Sequence, residues 1–251
     1  MADWLVLPGG TLALVAGVIV LAYVVYGLTG FGSSITALPL LAFLVPLRTA
    51  VPLMLIFDLC VGVLMGVNNR KVIDRSEVRR IVPFMVIGML GGVMLLVKAP
   101  ERALLLLLGS FVLAYSAWSL LRRGTPAPIA EGWASAFGTF GGVFSALFGT
   151  GGPIYTIYLA RRLTDKTVLR ATVSGLVFIS ALARLVLFTG VGLYAQPQIL
   201  SLAAVLLPAA LLGLYAGHRL HLGLPPGRVV QIVWTILIAG GTGLIWRALA
   251  G

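Results

Sequence analysis

Arg102-Ala103-Leu104-Leu105-Leu106-Leu107-Leu108-Gly109-Ser110-Phe111-Val112-Leu113-Ala114-Tyr115-Ser116-Ala117-Trp118-Ser119-Leu120-Leu121 carries a single charge, at its first residue. Its apolar residues are continuous rather than alternating with polar ones, as the strands of a membrane barrel would be. About 20 such residues make a helix long enough to cross a bilayer. The run from Ile199 to Gly217 reads the same way. Working outward, the whole chain of 251 residues is 60% hydrophobic and 10% charged, with a mean hydropathy of +1.08. A soluble domain carries roughly 25% charged residues, and a single core stops growing near this length. The apolar surface therefore belongs in lipid, where each backbone polar group must be paired within the protein. The expected fold is an all-α integral membrane protein.

The net charge of +11 does not point to nucleic acid. The Lys and Arg residues fall mostly in short loops between apolar runs, as the positive-inside rule expects, and no separate basic domain exists. Cys60 is the only cysteine, which excludes an internal disulfide or a thiolate metal site. It reads as a small packing residue. The N-terminus places Asp3 where a cleavable signal has positive charge, and no small-x-small cleavage site follows its apolar run. It is expected to be the first membrane segment.

The apolar stretch from about Gly10 to Val45 is too long for one crossing. It is interrupted at Gly27-Leu28-Thr29-Gly30-Phe31-Gly32-Ser33-Ser34, where glycines at 27, 30 and 32 break a helix. Ordinary spans follow at about Thr49–Val67, Ile81–Val97 and Ala103–Leu121. The second half restarts in the same order. A stretch from Trp133 to Leu159 is interrupted by Gly149-Thr150-Gly151-Gly152-Pro153, and spans follow at Ala171–Leu193, Ile199–Gly217 and Val229–Leu249. Gly30-Phe31-Gly32 is matched to Gly149-Thr150-Gly151. The expected organisation is one membrane repeat over 1–123, a linker over 124–131 and a second repeat over 132–251. Each repeat is a glycine-broken helical hairpin plus three transmembrane helices, giving 8–10 membrane segments.

Charge sets the topology. With the basic loop Asn68–Arg80 inside, the loop Arg161–Arg170 also falls inside if the second broken stretch enters and returns to one face. The span Thr49–Val67 then runs outside to inside, and its counterpart Ala171–Leu193 runs inside to outside. The repeats are expected to be inverted, a build in which secondary transporters place their site at the midplane between the repeats. Arg48, Lys98 and Arg102 fall outside in this arrangement, against the rule.

A broken helix exposes backbone N–H groups at the start of its second half, and these favour an anion. Gly30, Gly32, Ser33 and Ser34 in the first break and Gly149, Thr150, Gly151 and Gly152 in the second are the candidate substrate-binding residues. The competing reading is tight helix packing by small residues. The glycine break followed by Leu38-Pro39-Leu40-Leu41, with the Gly-x-Gly-Gly-Pro break in the other half, resembles the TauE/SafE family of sulfite and sulfonate exporters. The resemblance covers nearly the whole chain. It implies export or permease activity on small anions, such as sulfite or C2 organosulfonates, in a bacterial inner membrane. Ser33 and Ser34 depart from the further glycines often found there in the family.

Two charges lie within spans, Asp58 and Arg184, at a cost of several kcal/mol unless an interior partner or cavity receives them. Arg184 reads as a binder of the oxyanion, its guanidinium being suited to bidentate contact. Asp58 reads as the site of a coupling proton or sodium ion. The alternative is that the two pair as a structural bridge. Tyr155 and Tyr26 flank the breaks, where a phenol can donate to an anion or simply pack. Arg48 and Arg170 read as interface anchors, Trp4 and Trp246 as belt residues. His218 and His221 read as loop residues rather than a metal site.

The resulting expectation is a secondary transporter working by alternating access on a small anionic substrate, without cofactor or metal. A passive anion channel and a permease for a small carboxylate are the alternatives. An intramembrane enzyme is disfavoured, since no Ser–His or Asp–Asp pair lies within the spans. The oligomeric state, a homodimer included, is left open.

Overall fold

The computed structural model describes residues 8–29, 32–65, 72–121, 127–195, 197–220 and 226–250. Among them the chain forms ten α-helices and one short 3-10 turn, with no strand. In order they are α1 (Gly9–Thr29), α2 (Ser33–Leu41), α3 (Leu47–Met65), α4 (Arg75–Lys98), α5 (Glu101–Leu121), α6 (Trp133–Phe148), α7 (Gly151–Leu159), α8 (Lys166–Gly190), α9 (Pro197–Leu220) and α10 (Pro226–Ala250). Among the described residues, α1, α4, α5, α8 and α9 contain spans long and apolar enough to cross a bilayer. The protein is a multi-pass, all-α membrane protein. Each half is a helix, a nine-residue helix after a break, and then three longer helices.

The helices gather into two compact units. The first holds α1, α2, α3 as far as Phe57, α5, α9 and α10. Its largest contact is α1 on α9. Glycines let the two backbones touch. A Cβ on Gly213 of α9 would lie 2.4 Å from the Val20 carbonyl oxygen, and one on Gly217 would lie 2.3 Å from that of Val24. In the same unit α5 packs on α10 and α2 packs on both α1 and α10.

The second unit holds α3 from Asp58, α4, α6, α7 and α8. Its largest contact is α6 on α4, again through glycines. A Cβ on Gly88 of α4 would lie 2.0 Å from the Thr139 carbonyl oxygen, and one on Gly142 of α6 would lie 2.1 Å from that of Met85. Gly88-x-x-x-Gly92 and Gly213-x-x-x-Gly217 are small-x-x-x-small seams of the kind that join helices in lipid, where apolar burial supplies no drive. Met85, Met89, Val93 and Leu96 complete the buried face of α4, while Ile87, Leu90 and Met94 are exposed on its other side. That exposed face suits acyl chains.

The two units share a plan. In each, the first helix of a broken pair packs on the fourth helix of the opposite half: α1 on α9, and α6 on α4. The short helices also end alike. Ala42 N–H bonds Leu38 and Val45 N–H bonds Leu41, as Ala160 bonds Thr156 and Leu163 bonds Leu159. This register sets Gly32 against Thr150 and Ser33-Ser34 against Gly151-Gly152, one residue away from the match read along the sequence. Both breaks have glycine at the turn, Gly32 with φ 93 and Gly149 with φ 67, and the second has it again at Gly151, where a Cβ would lie 2.8 Å from the Gly141 carbonyl oxygen.

Candidate functional site

In the second unit, α6 ends in an αL cap. Gly149 takes φ 67, a left-handed conformation suited to glycine. Its N–H bonds the Ser145 carbonyl at 2.8 Å, and Thr150 N–H bonds the Phe144 carbonyl at 3.3 Å. Thr150 is then the N-cap of α7, with no residue in between. The first turn of a helix has four N–H groups without an internal partner. Here Thr150 has spent its own on α6, and Pro153 has none to offer. The amides of Gly151 and Gly152 remain, both on buried residues, with no carbonyl one turn back to receive them. α7 folds back along α6, because a Cβ on Gly141 would strike the Tyr155 ring.

α8 closes this hairpin from the side. Val177 lies against Gly152. One turn on, Ser180 accepts a 3.0 Å hydrogen bond from the Ser145 hydroxyl of α6 and donates to the Val177 carbonyl at 2.8 Å. One turn further stands Arg184, 1% exposed. The fully buried Tyr155 hydroxyl of α7 is close to Ser145 and Arg184, yet makes no hydrogen bond of ordinary geometry. Val177, Ser180 and Arg184 are spaced three and four apart, so they share one face of α8. Three helices thus bring a guanidinium, a phenol and two hydroxyls to the hairpin whose turn leaves two amides over. Both serine protons are committed, Ser145 to Ser180 and Ser180 to Val177, so the donors that face the hairpin turn are the guanidinium, the phenol and the two amides, and an oxyanion is what such donors can bind.

The first break has a glycine turn and a buried helix start in its own unit. Gly32 is the N-cap of α2 with φ 93, and Ser33, Ser34 and Thr36 behind it are buried. The far end of each short helix is held by arginine. Arg247 of α10 donates to the Ala42 carbonyl and lies over the Phe43 ring. At the end of α7, Glu77 of α4 accepts from Tyr158 at 2.8 Å, Arg162 at 3.1 Å and Arg80 at 3.0 Å. Glu131 closes the ring by pairing both arginines. The hydrogen bond to Glu77 holds the Arg162 guanidinium above its usual proton affinity.

The model of the sulfite exporter TauE/SafE family matches residues 15–244. The chain belongs to that family. A relative, the probable inner membrane transporter protein TsaS of Comamonas testosteroni, is 30% identical over 200 residues, covering 78% of this chain and 83% of the relative. No solved structure matches.

For this TauE/SafE chain, the structure brings Gly149, Thr150, Gly151, Gly152, Tyr155 and Arg184 together in the second unit. Gly32, Ser33 and Ser34 lie together in the first. Gly30 lies outside the described residues, as do Trp4 and His221. Asp58 is half-buried on α3, one turn before Gly62, which abuts Phe178 of α8. Arg48 donates to the Ala99 carbonyl at 2.8 Å, which suits an anchor. Tyr26 packs against Tyr23. Sequence reasoning missed Ser145, Ser180 and Glu77. The signal for the serines was present as spacing: Ser180 stands one helical turn before Arg184, and Ser145 one turn before Gly149. Glu77 was hidden among the basic residues that begin α4.

Proposed function

We propose that the protein is a secondary transporter, not an enzyme, that exports a small sulfur oxyanion, sulfite or a C2 organosulfonate such as sulfoacetate, across a bacterial inner membrane. The observation that carries this reading is the convergence of buried Arg184, the Tyr155 hydroxyl and the leftover Gly151 and Gly152 amides on one hairpin. A sulfonate head has oxygens on several sides and no proton to place at neutral pH, which matches a set of donors from different directions. Family membership supports the substrate class, and the TsaS relative supports transport across an inner membrane.

The mechanism proposed is alternating access, with the halves as inverted repeats. Arg184 supplies the positive potential, the hairpin amides and the Tyr155 hydroxyl orient the oxyanion, and Asp58 carries the coupling proton. The glycines keep side chains away from the amides, so that the backbone can approach the ligand closely.

Reconstitution in liposomes tests the reading. Flux of sulfite, sulfoacetate, taurine and sulfate is measured with and without a pH gradient. Saturable flux of one sulfur oxyanion that rises with the gradient is expected. Asp58→Asn should remove the response to the gradient while leaving anion binding in place. Flux that never saturates and ignores the gradient would replace the transporter with a passive channel.

A further inference from the structure

Buried hydroxyls in helices almost always find a partner, and threonine usually finds it in the carbonyl one turn back. Thr156 and Thr172, half-buried and buried, follow the rule by donating to Gly152 and Val168 at 2.8 and 2.7 Å, and the exposed Thr189 and Thr242 make the same bond to Leu185 and Ile238. Thr36 breaks it. It is fully buried on α2, its hydroxyl makes no hydrogen bond, and the Gly32 carbonyl one turn back accepts only the Thr36 amide. Among the described residues, the buried hydroxyls left in this state are Thr36 and Tyr155. Each stands on a nine-residue helix that follows a glycine break, one in each unit.

Side chains on a helix tilt toward its N-terminus. Thr36 is one turn into α2, so its Cα–Cβ bond leans toward the start of the helix, where Gly32 is the N-cap. A buried hydroxyl without a partner costs stability. The orphaned group and the helix start together form a half-built site that lacks only an acceptor.

We propose that the Thr36 hydroxyl is a substrate-binding donor, giving its hydrogen bond to an oxygen of the transported oxyanion at the N-terminal end of α2. This rests on the anion-transport reading above and extends it to a residue of the first half. Thr36 does there what Tyr155 does in the second half. The ligand class is an oxyanion with several acceptor oxygens. A hydroxyl in this position serves such a ligand and gives nothing to an apolar solute.

The test uses the full chain purified in detergent, titrated calorimetrically with sulfite and with sulfoacetate. Thermal unfolding is followed in parallel without added anion. Thr36→Val keeps the shape and removes the hydroxyl, and Thr36→Ser keeps the hydroxyl. The expected result is binding weakened about tenfold or more in Thr36→Val, the size of one hydrogen bond to a charged group, with Thr36→Ser close to wild type. The unfolding midpoint of Thr36→Val should be unchanged or raised, because the lost hydroxyl had no partner in the free protein. Unchanged affinity in Thr36→Val overturns the inference and leaves the function standing. A midpoint lowered by several degrees also overturns it, since the hydroxyl then has a structural partner. Failure of the wild-type protein to bind either anion overturns the proposed function and this inference with it.

Discussion

A guanidinium 1% exposed on a membrane helix is costly to place and is rarely kept without use. Arg184→Ala is expected to abolish saturable anion flux in a protein that still folds and inserts. Flux assays on matched amounts of monodisperse protein check this. Gly152 tests the amides. A Cβ there would lie 3.3 Å from Val177 Cγ2, a contact that a small side-chain shift relieves, but the methyl would stand beside the amide. Gly152→Ala should therefore raise the anion Kd several-fold with little change in melting temperature. Asp165 is an exposed N-cap of α8, accepting from Thr167 N–H at 2.7 Å and Val168 N–H at 3.1 Å. The amide of Val168, followed by that of Thr167, holds its carboxyl below the usual aspartate range. A depressed folded-state pKa contributes stability above the unfolded value, near 3.9, and that contribution is lost as pH falls through the folded value. The melting difference between wild type and Asp165→Asn should be present at pH 7 and shrink below about pH 4.

At the scale of elements, the short helices matter because they are held at both ends. Glu77 binds Tyr158, Arg162 and Arg80 where α7 ends, so it fixes the helix whose other end presents Gly151 and Gly152. Removing Glu77 leaves the buried Tyr158 hydroxyl without its carboxylate and the two partly exposed arginines with Glu131 alone. Glu77→Ala should destabilise by about 1–3 kcal/mol, read as a lowered melting temperature. Glu77→Gln, which keeps the volume and one acceptor, should lose less. The glycine seams give a second check. Gly142→Ala drives a methyl into the Met85 carbonyl, which is backbone and cannot swing away. It should cost about 1–3 kcal/mol or more, whereas alanine at Gly91, which faces open space, should be neutral or mildly stabilising by helix propensity. Comparative melting of the two variants separates them.

At the scale of the whole molecule, the order of elements was readable and their partners were not. Helices and breaks leave local marks: continuous apolar runs, and glycine clusters such as 149–152 ahead of Pro153. Packing leaves none until the chain is folded. Each half contributes helices to both units, so α4 joins α6 and α9 joins α1, at separations along the chain that periodicity does not reach. The same reason hid part of the site. A lone Ser145, Ser180 or Thr36 in an apolar run reads as ordinary packing. It becomes a candidate for the site only when another helix supplies its neighbour, or when no helix does. Arg184 stood out because charge in an apolar run is conspicuous in any context.

The hairpin of α6 and α7 with Arg184 is the proposed anion site of the transporter. The most direct measurement is flux of sulfite and sulfoacetate into liposomes carrying wild-type protein or Arg184→Gln, reconstituted side by side at equal density. Saturable flux in the wild type and none above empty liposomes in Arg184→Gln, with both proteins folded, is the predicted result. Equal saturable flux in the two would contradict the account, because the buried guanidinium would then serve the fold alone.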